Sequence, residues 1–300
     1  MKRAVLTVVA LVLLGGDSMG TGQEKISALS GVIDFHTHSG PDSRPRSVND
    51  IEAARQAAAA GVRGLVFKNH FTMTADRAAL AMSEVSDIEI FGGVVLNRAV
   101  GGLNIEAVRQ LVSFDGGRGK VVWLPTFDAE YYVRRQGGSE PFVSVIKNGR
   151  PVPALQEIFS VIAEHDLVLA MGHSSPEEVL LLTQEARRLG VNNIVVTHVF
   201  GQNPTQAQMQ QMADDGSIME MDWYAVYQKR RTVAEYVAAI KGIGAEHFLI
   251  SSDLGQQGSP SHVEGLNAFI VALREAGISE RDIQRMAVEN PARLLGLQLQ

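Results

Sequence analysis

Histidine, lysine and aspartate recur in this chain at one kind of place, just after a short apolar run. Residues 32–35 form such a run and lead into His36-Thr37-His38. Side chains two apart on a strand share a face, so both imidazoles point the same way. Two neutral imidazoles aimed at one point make half of a metal site, which further nitrogen or oxygen donors must complete. Residues 62–67 lead to Lys68-Asn69-His70, 167–171 to His173, 193–197 to His198, and 247–252 to Asp253. Five of the eight histidines thus stand at predicted strand ends, whereas His165 and His262 fall on helices and His247 at a strand start. Singly, each has a bland use. His173 and His198 suit a buried core or a helix cap, and Asp253 suits a turn or an N-cap. The chemistry lies in the set, provided the fold brings the strand ends together.

The elements between them supply that fold. Strand runs at 88–96, 120–127 and 217–221 complete a series of eight, and helix-forming segments alternate with them. Residues 50–60 are Ala-rich and closed by Gly61. Thr74 and Asn104 are N-caps for helices to about 85 and 114. Ser175-Pro176-Glu177-Glu178 is a strong helix start. Further helices are expected at 153–165, 205–213, 232–241, 261–276 and 279–295. Continuous apolar strands suit a parallel sheet buried on both faces. The expected fold is an α/β (β/α)8 TIM barrel, whose strand C-termini all meet at one mouth. A doubly wound open sheet would carry a Gly-rich phosphate turn after the first strand, and none is present.

Composition narrows the chemistry. The 300 residues are 45% hydrophobic and 20% charged, as in a soluble globular domain. A formal net charge of −6 gives no basic footprint for nucleic acid. Without cysteine there are no disulfides, thiolate ligands or thiol nucleophiles. Lys2 and Arg3 precede an apolar run at 4–14 and small residues to about 22, the pattern of a secretory signal peptide. The expectation is therefore a leader at 1–22, a periplasmic or secreted location, and a barrel domain at 23–300.

His36, His38, His173, His198 and Asp253, in that strand order, resemble the amidohydrolase superfamily of metal-dependent barrels. Ile250-Ser-Ser-Asp-Leu254 and the closing Glu289-Asn-Pro-Ala-Arg-Leu-Leu-Gly296 add to the likeness, which spans about residues 31–297. The resemblance implies a divalent cation, with Asp253 both metal ligand and general base. Many binuclear members carry a bridging carboxylated Lys or a Glu on strand four. Here that strand ends Leu124-Pro-Thr-Phe-Asp128, and Asp128 lies far along the loop. Lys68, two before His70, is the substitute candidate. Its alternatives are an anion-binding amine and an ion pair with Asp34 or Glu220.

The metal set is thus His36, His38, Lys68, His173, His198 and Asp253, and the catalytic candidates are Asp253, His198 and His70. Imidazole and carboxylate donors suit zinc first, as one or two ions, then manganese, cobalt or iron. The expected reaction is hydrolysis of an amide, ester or lactone-like carbonyl of a small molecule. A metal-dependent decarboxylase or hydratase on the same barrel, and a non-catalytic metal- or ligand-binding barrel, are the alternatives. A homo-oligomer stays open. Mouth-side candidates for the substrate are Arg44, Arg46, Arg134, Arg135 and the aromatics at 223–227. Asn148-Gly149 predicts a hairpin within a long connection that could cover the mouth.

Overall fold

The computed structural model describes residues 29–139 and 141–299. The expected leader at 1–22 lies outside the described residues. Eight parallel strands form one sheet in chain order. They are β1 (Ile33–Thr37), β2 (Gly64–Phe67), β3 (Glu89–Val95) and β4 (Gly119–Trp123), followed by β5 (Val168–Ala170), β6 (Asn193–Val196), β7 (Ile218–Asp222) and β8 (Phe248–Ser251). Sequential order with helical crossovers is the (β/α)8 arrangement. β1 meets β8 through a short seam at the mouth. Asp253 N donates to His36 O at 3.0 Å, His38 N to Leu254 O at 2.9 Å, and Ser252 N to Asp34 Oδ1 at 2.8 Å.

Two apolar layers result. Ile33, Phe35, Val66, Trp123, Val195 and Leu249 belong to the cluster inside the barrel, where Leu294 and Leu295 of the final helix also pack. The larger layer lies between strands and helices. Capping chemistry sets the helix starts. Asn49, Ser175, Thr205, Thr232 and Ser261 each make reciprocal capping boxes. Asn104 caps Ile105–Ser113 as expected. Thr74 does not cap its helix through its side chain; its hydroxyl instead donates to Phe67 O at 2.7 Å, tying helix to strand.

The connection after β4 differs most from expectation. β4 ends at Trp123, earlier than the apolar run. A six-residue helix, Glu130–Arg135, follows with no side-chain cap. The hairpin is present, pairing Ile146–Lys147 with Arg150–Pro151 around Asn148 and Gly149, both at positive φ. The last predicted helix is three pieces, Glu280–Gln284, a π turn at Arg285–Glu289, and Asn290–Leu295.

Candidate metal centre

Alternation along β1 does not by itself turn its histidines inward. Ile33 and Phe35 face the barrel interior, so strict period-two geometry would send His36 and His38 outward. The register shifts between Asp34 and Thr37, and this irregularity changes the phase. On β2, β7 and β8 the alternation carries through. Val66 is followed by Lys68, Ile218 by Glu220 and Asp222, and Leu249 by Ser251 and Asp253. His198 sits at φ 27° and Asp253 at φ 49°, a region that L side chains enter only when surroundings hold them there.

All seven residues named from the sequence line one cavity of about 890 Å³ at the mouth. Five imidazoles form an arc with neighbouring ring centroids 4.9–6.5 Å apart, in the order His36, His38, His70, His173, His198. The tightest convergence is His36, His38 and Asp253, whose ligand atoms lie within 4.8 Å of one another. Both Nε2 atoms stand 3.1 Å from Asp253 Oδ1. His36 Nε2 nevertheless makes no hydrogen bond, and Lys68 Nζ and His173 Nδ1 are likewise buried without partners. His36 Nε2, His38 Nε2 and Asp253 Oδ1, converging with one nitrogen left unpartnered, are a donor set that fits a divalent cation.

The far sides of these rings are held. His36 Nδ1 lies 2.8 Å from Glu220 Oε1, and His38 Nδ1 donates to Lys68 O at 2.8 Å, so both present Nε2 to the centre. Glu220 also accepts from Ser251 Oγ at 2.7 Å and His198 N at 3.0 Å. Burial raises its pKa, but His36, His198 and these hydrogen bonds win, leaving it near 2. His70 Nδ1 contacts Thr126 Oγ1 at 2.9 Å, and Asn97 braces that hydroxyl.

Burial, the largest influence, holds His38, His70, His173 and His198 below the ordinary 6.5, in the neutral form that offers a lone pair. His36 is raised instead, because Asp253 and Glu220 outweigh burial and Lys68. Burial lowers Lys68 to about 8 despite nearby carboxylates. The expected alternative of a Lys68 ion pair with Asp34 or Glu220 is not formed, since Nζ has no partner among the described residues. Asp128 is occupied elsewhere, accepting from Arg98 N at 2.8 Å. Arg134 pairs with Glu130 and does not line the cavity, whereas Arg135 does.

Sequence reading missed two supports. Glu220 had entered only as a partner for Lys68; its signal was the Glu-x-Asp pattern inside an apolar strand. His262, read as a helical histidine, reaches His38 O and Leu254 O at 3.0 Å each, bracing the seam. Beside it Gly255 holds φ 114°, and a Cβ there would overlap the His38 carbonyl oxygen. Gly255→Ala is therefore expected to cost about 2–4 kcal/mol and to disturb His38, read as a lowered urea midpoint.

Solved structures share this architecture. An organophosphorus hydrolase from Deinococcus radiodurans aligns at TM-score 0.60 and 17% identity, covering 90% of this chain and 94% of that one. An amidohydrolase from Pseudomonas aeruginosa gives 0.59 and 12%, over 89% and 95%. A 2,6-dihydroxybenzoate decarboxylase from Rhizobium gives 0.56 and 12%, over 89% and 99%. All three share the (β/α)8 barrel fold with this chain. Within it, residues 31–220 match DUF6282, a family of unknown function, and the chain belongs to that family. No curated protein matches the sequence.

Proposed function

We infer that this protein is a metal-dependent hydrolase of the amidohydrolase type, acting on an amide, ester or lactone-like carbonyl. The observation that carries the reading is the convergence of His36 Nε2, His38 Nε2 and Asp253 Oδ1 beneath an open cavity. A divalent cation held by these three residues supplies an acidified water, with pKa brought from about 15.7 toward 7, and a polarised carbonyl. Zinc is the first choice for this donor set.

The chain's own groups do the rest. Glu220 and the Lys68 carbonyl fix the tautomers of His36 and His38. The Asp253 carboxylate takes the proton of the attacking water and returns it to the leaving group. His198 and His70 face the same space and hold the water and the developing oxyanion. Lys68, His173 and His198 would hold a second ion if the buried Lys68 amine carried a carboxylate, and His198 would then be a ligand, leaving His70 to the oxyanion. In metal-loaded protein grown with isotope-labelled bicarbonate, we expect a carbamate resonance that Lys68→Arg abolishes. Its absence would restrict the centre to one ion.

The function is tested by metal content per chain, with chelation and add-back assayed on ester, lactone and amide substrates. Native protein without bound metal, and indifferent to added metal, would overturn the reading. Carbon dioxide release without water incorporation would assign the lyase chemistry carried by the Rhizobium decarboxylase of similar fold. Secretion or a periplasmic location follows from residues 1–22 as a proposal, tested by fractionation.

A further inference from the structure

The cavity mouth carries a charge opposite to that of the chain. The protein has a formal net charge of −6. Yet Arg44, Arg46, Arg135, Arg230 and Arg231 line the cavity against two carboxylates, Asp222 and Asp253. Both carboxylates are committed. Asp253 faces His36 and His38, and Asp222 accepts from Ala225 N at 2.7 Å.

Three of the arginines are committed as well. Arg46 pairs with Asp42 at 2.6 Å. Arg231 pairs with Glu235 at 3.2 Å and also bonds Asn203. Arg135 donates to Gly201 O at 2.8 Å. Arg44 and Arg230 have no carboxylate partner among the described residues; each rests near an aromatic ring. The Arg44 guanidinium lies 4.2 Å from the Phe127 centroid, and Phe127 is 4.1 Å from His70 and 5.6 Å from His173. Arg44 thus stands one ring away from the histidine arc. A guanidinium resting on a ring face keeps its in-plane donors free for a bidentate anion.

Both arms are anchored to the loop that carries Asp253. Ser47 N donates to Gly255 O at 3.0 Å, next to an Arg46–Gln256 bridge. Tyr227 Oη reaches Gly258 O at 3.4 Å. Solvated surface charge would leave the two arginines on unrelated faces; here they open into the same concavity as the metal centre.

The geometry points to a substrate bearing a carboxylate or phosphate remote from its reacting bond. Arg44 and Arg230, both in the cavity lining and without a carboxylate partner among the described residues, are the cations offered to that anion, and Phe127, Tyr132 and Tyr224 flank the body of the molecule. The identity of the reacting bond rests on the hydrolase reading; the anion site does not.

Calorimetric titration of the full chain with benzoate, phenyl phosphate and benzyl alcohol tests the site. At least one anion should bind ten times more tightly than the alcohol and lose tenfold or more in Arg44→Ala/Arg230→Ala. The anion that binds better names the carboxylate or the phosphate source. Arg188→Ala/Arg274→Ala removes the same charge from outer helices, where both residues pair with glutamates, and should leave binding unchanged. Equal affinity for the alcohol, no loss in the mouth variant, or equal loss in the control variant overturns the proposal. In parallel, the kcat/KM ratio of para-acetoxybenzoate to phenyl acetate should fall tenfold in the mouth variant. If neither ester is hydrolysed but anion binding still needs both arginines, the hydrolase reading fails and the anion site stands. If both are hydrolysed at an unaltered ratio, the reverse holds.

Discussion

Asp253→Asn is expected to lower kcat/KM by about three orders of magnitude while the barrel stays folded. A positioned general base contributes about 10²–10⁴ in rate, and this substitution removes the base without removing the shape. Asparagine is the right replacement for a geometric reason. Residue 253 sits at φ 49°, and Asn tolerates the left-handed region better than most side chains. The backbone bond from residue 253 N to His36 O is retained, as is that from Gln256 Nε2 to the Asp253 carbonyl. Burial would raise the Asp253 pKa, but the imidazoles of His36, His38 and His198 hold it well below the carboxylate range, so an anion faces them at neutral pH. Losing that anion also weakens cation binding. Activity should therefore be measured at saturating metal, with circular dichroism as the check on folding. Activity within tenfold of wild type at saturating metal would remove Asp253 from the role of base.

The second large effect belongs to a residue that touches no substrate. Glu220→Ala is expected to weaken metal affinity by about 10–100-fold and to destabilise the protein by about 3 kcal/mol or more. Glu220 is 1% exposed and engages His36, Ser251 and the backbone of His198 at once. Truncation leaves those groups facing a void and frees His36 to turn. Glu220→Gln keeps the shape and should recover part of the stability but less of the affinity. Metal titration and urea unfolding read the two losses separately. The pH dependence follows the same logic. A carboxylate lowered from 4.5 to about 2 stabilises the fold most above pH 5, and that contribution vanishes as pH falls through 2. Wild type should thus lose more stability than Glu220→Gln between pH 5 and 2. Parallel acid curves for the two proteins would show that Glu220 is not ionised in the fold.

The strand ends were legible because ligand-type residues are rare after apolar runs, and a barrel gathers them without further information. His173 and His198, bland one at a time, are singled out by the series of strand ends to which they belong. What makes them usable was not legible. The phase change in β1 is visible only in its pairing with β2. Glu220 acts on His36 across 184 residues, and His262 on His38 across 224. Such roles exist only as contacts. The helix Glu130–Arg135 escaped for a local reason, being short and without a capping side chain. Arg44 is a mouth-side candidate from its place after the first strand, whereas Arg230 carries no signal, and only the cavity wall sets both at the mouth.

The seam between β1 and β8 bears on synthesis. Asp34 and Ser252, bonded to each other, are 218 residues apart. A ribosome that has delivered β1 through β7 has delivered all five histidines of the arc and Lys68, but neither Asp253 nor the strand that locks β1. The nascent chain therefore cannot assemble the His36–His38–Asp253 set ahead of time, and the last ligand arrives with the last closure. A cation captured there clasps the first strand to the final one across the longest loop the barrel closes, where a cross-link gains most against the unfolded chain. On the proposed metal reading, the centre then doubles as a mark of closure: the three ligands meet only once β8 has docked on β1.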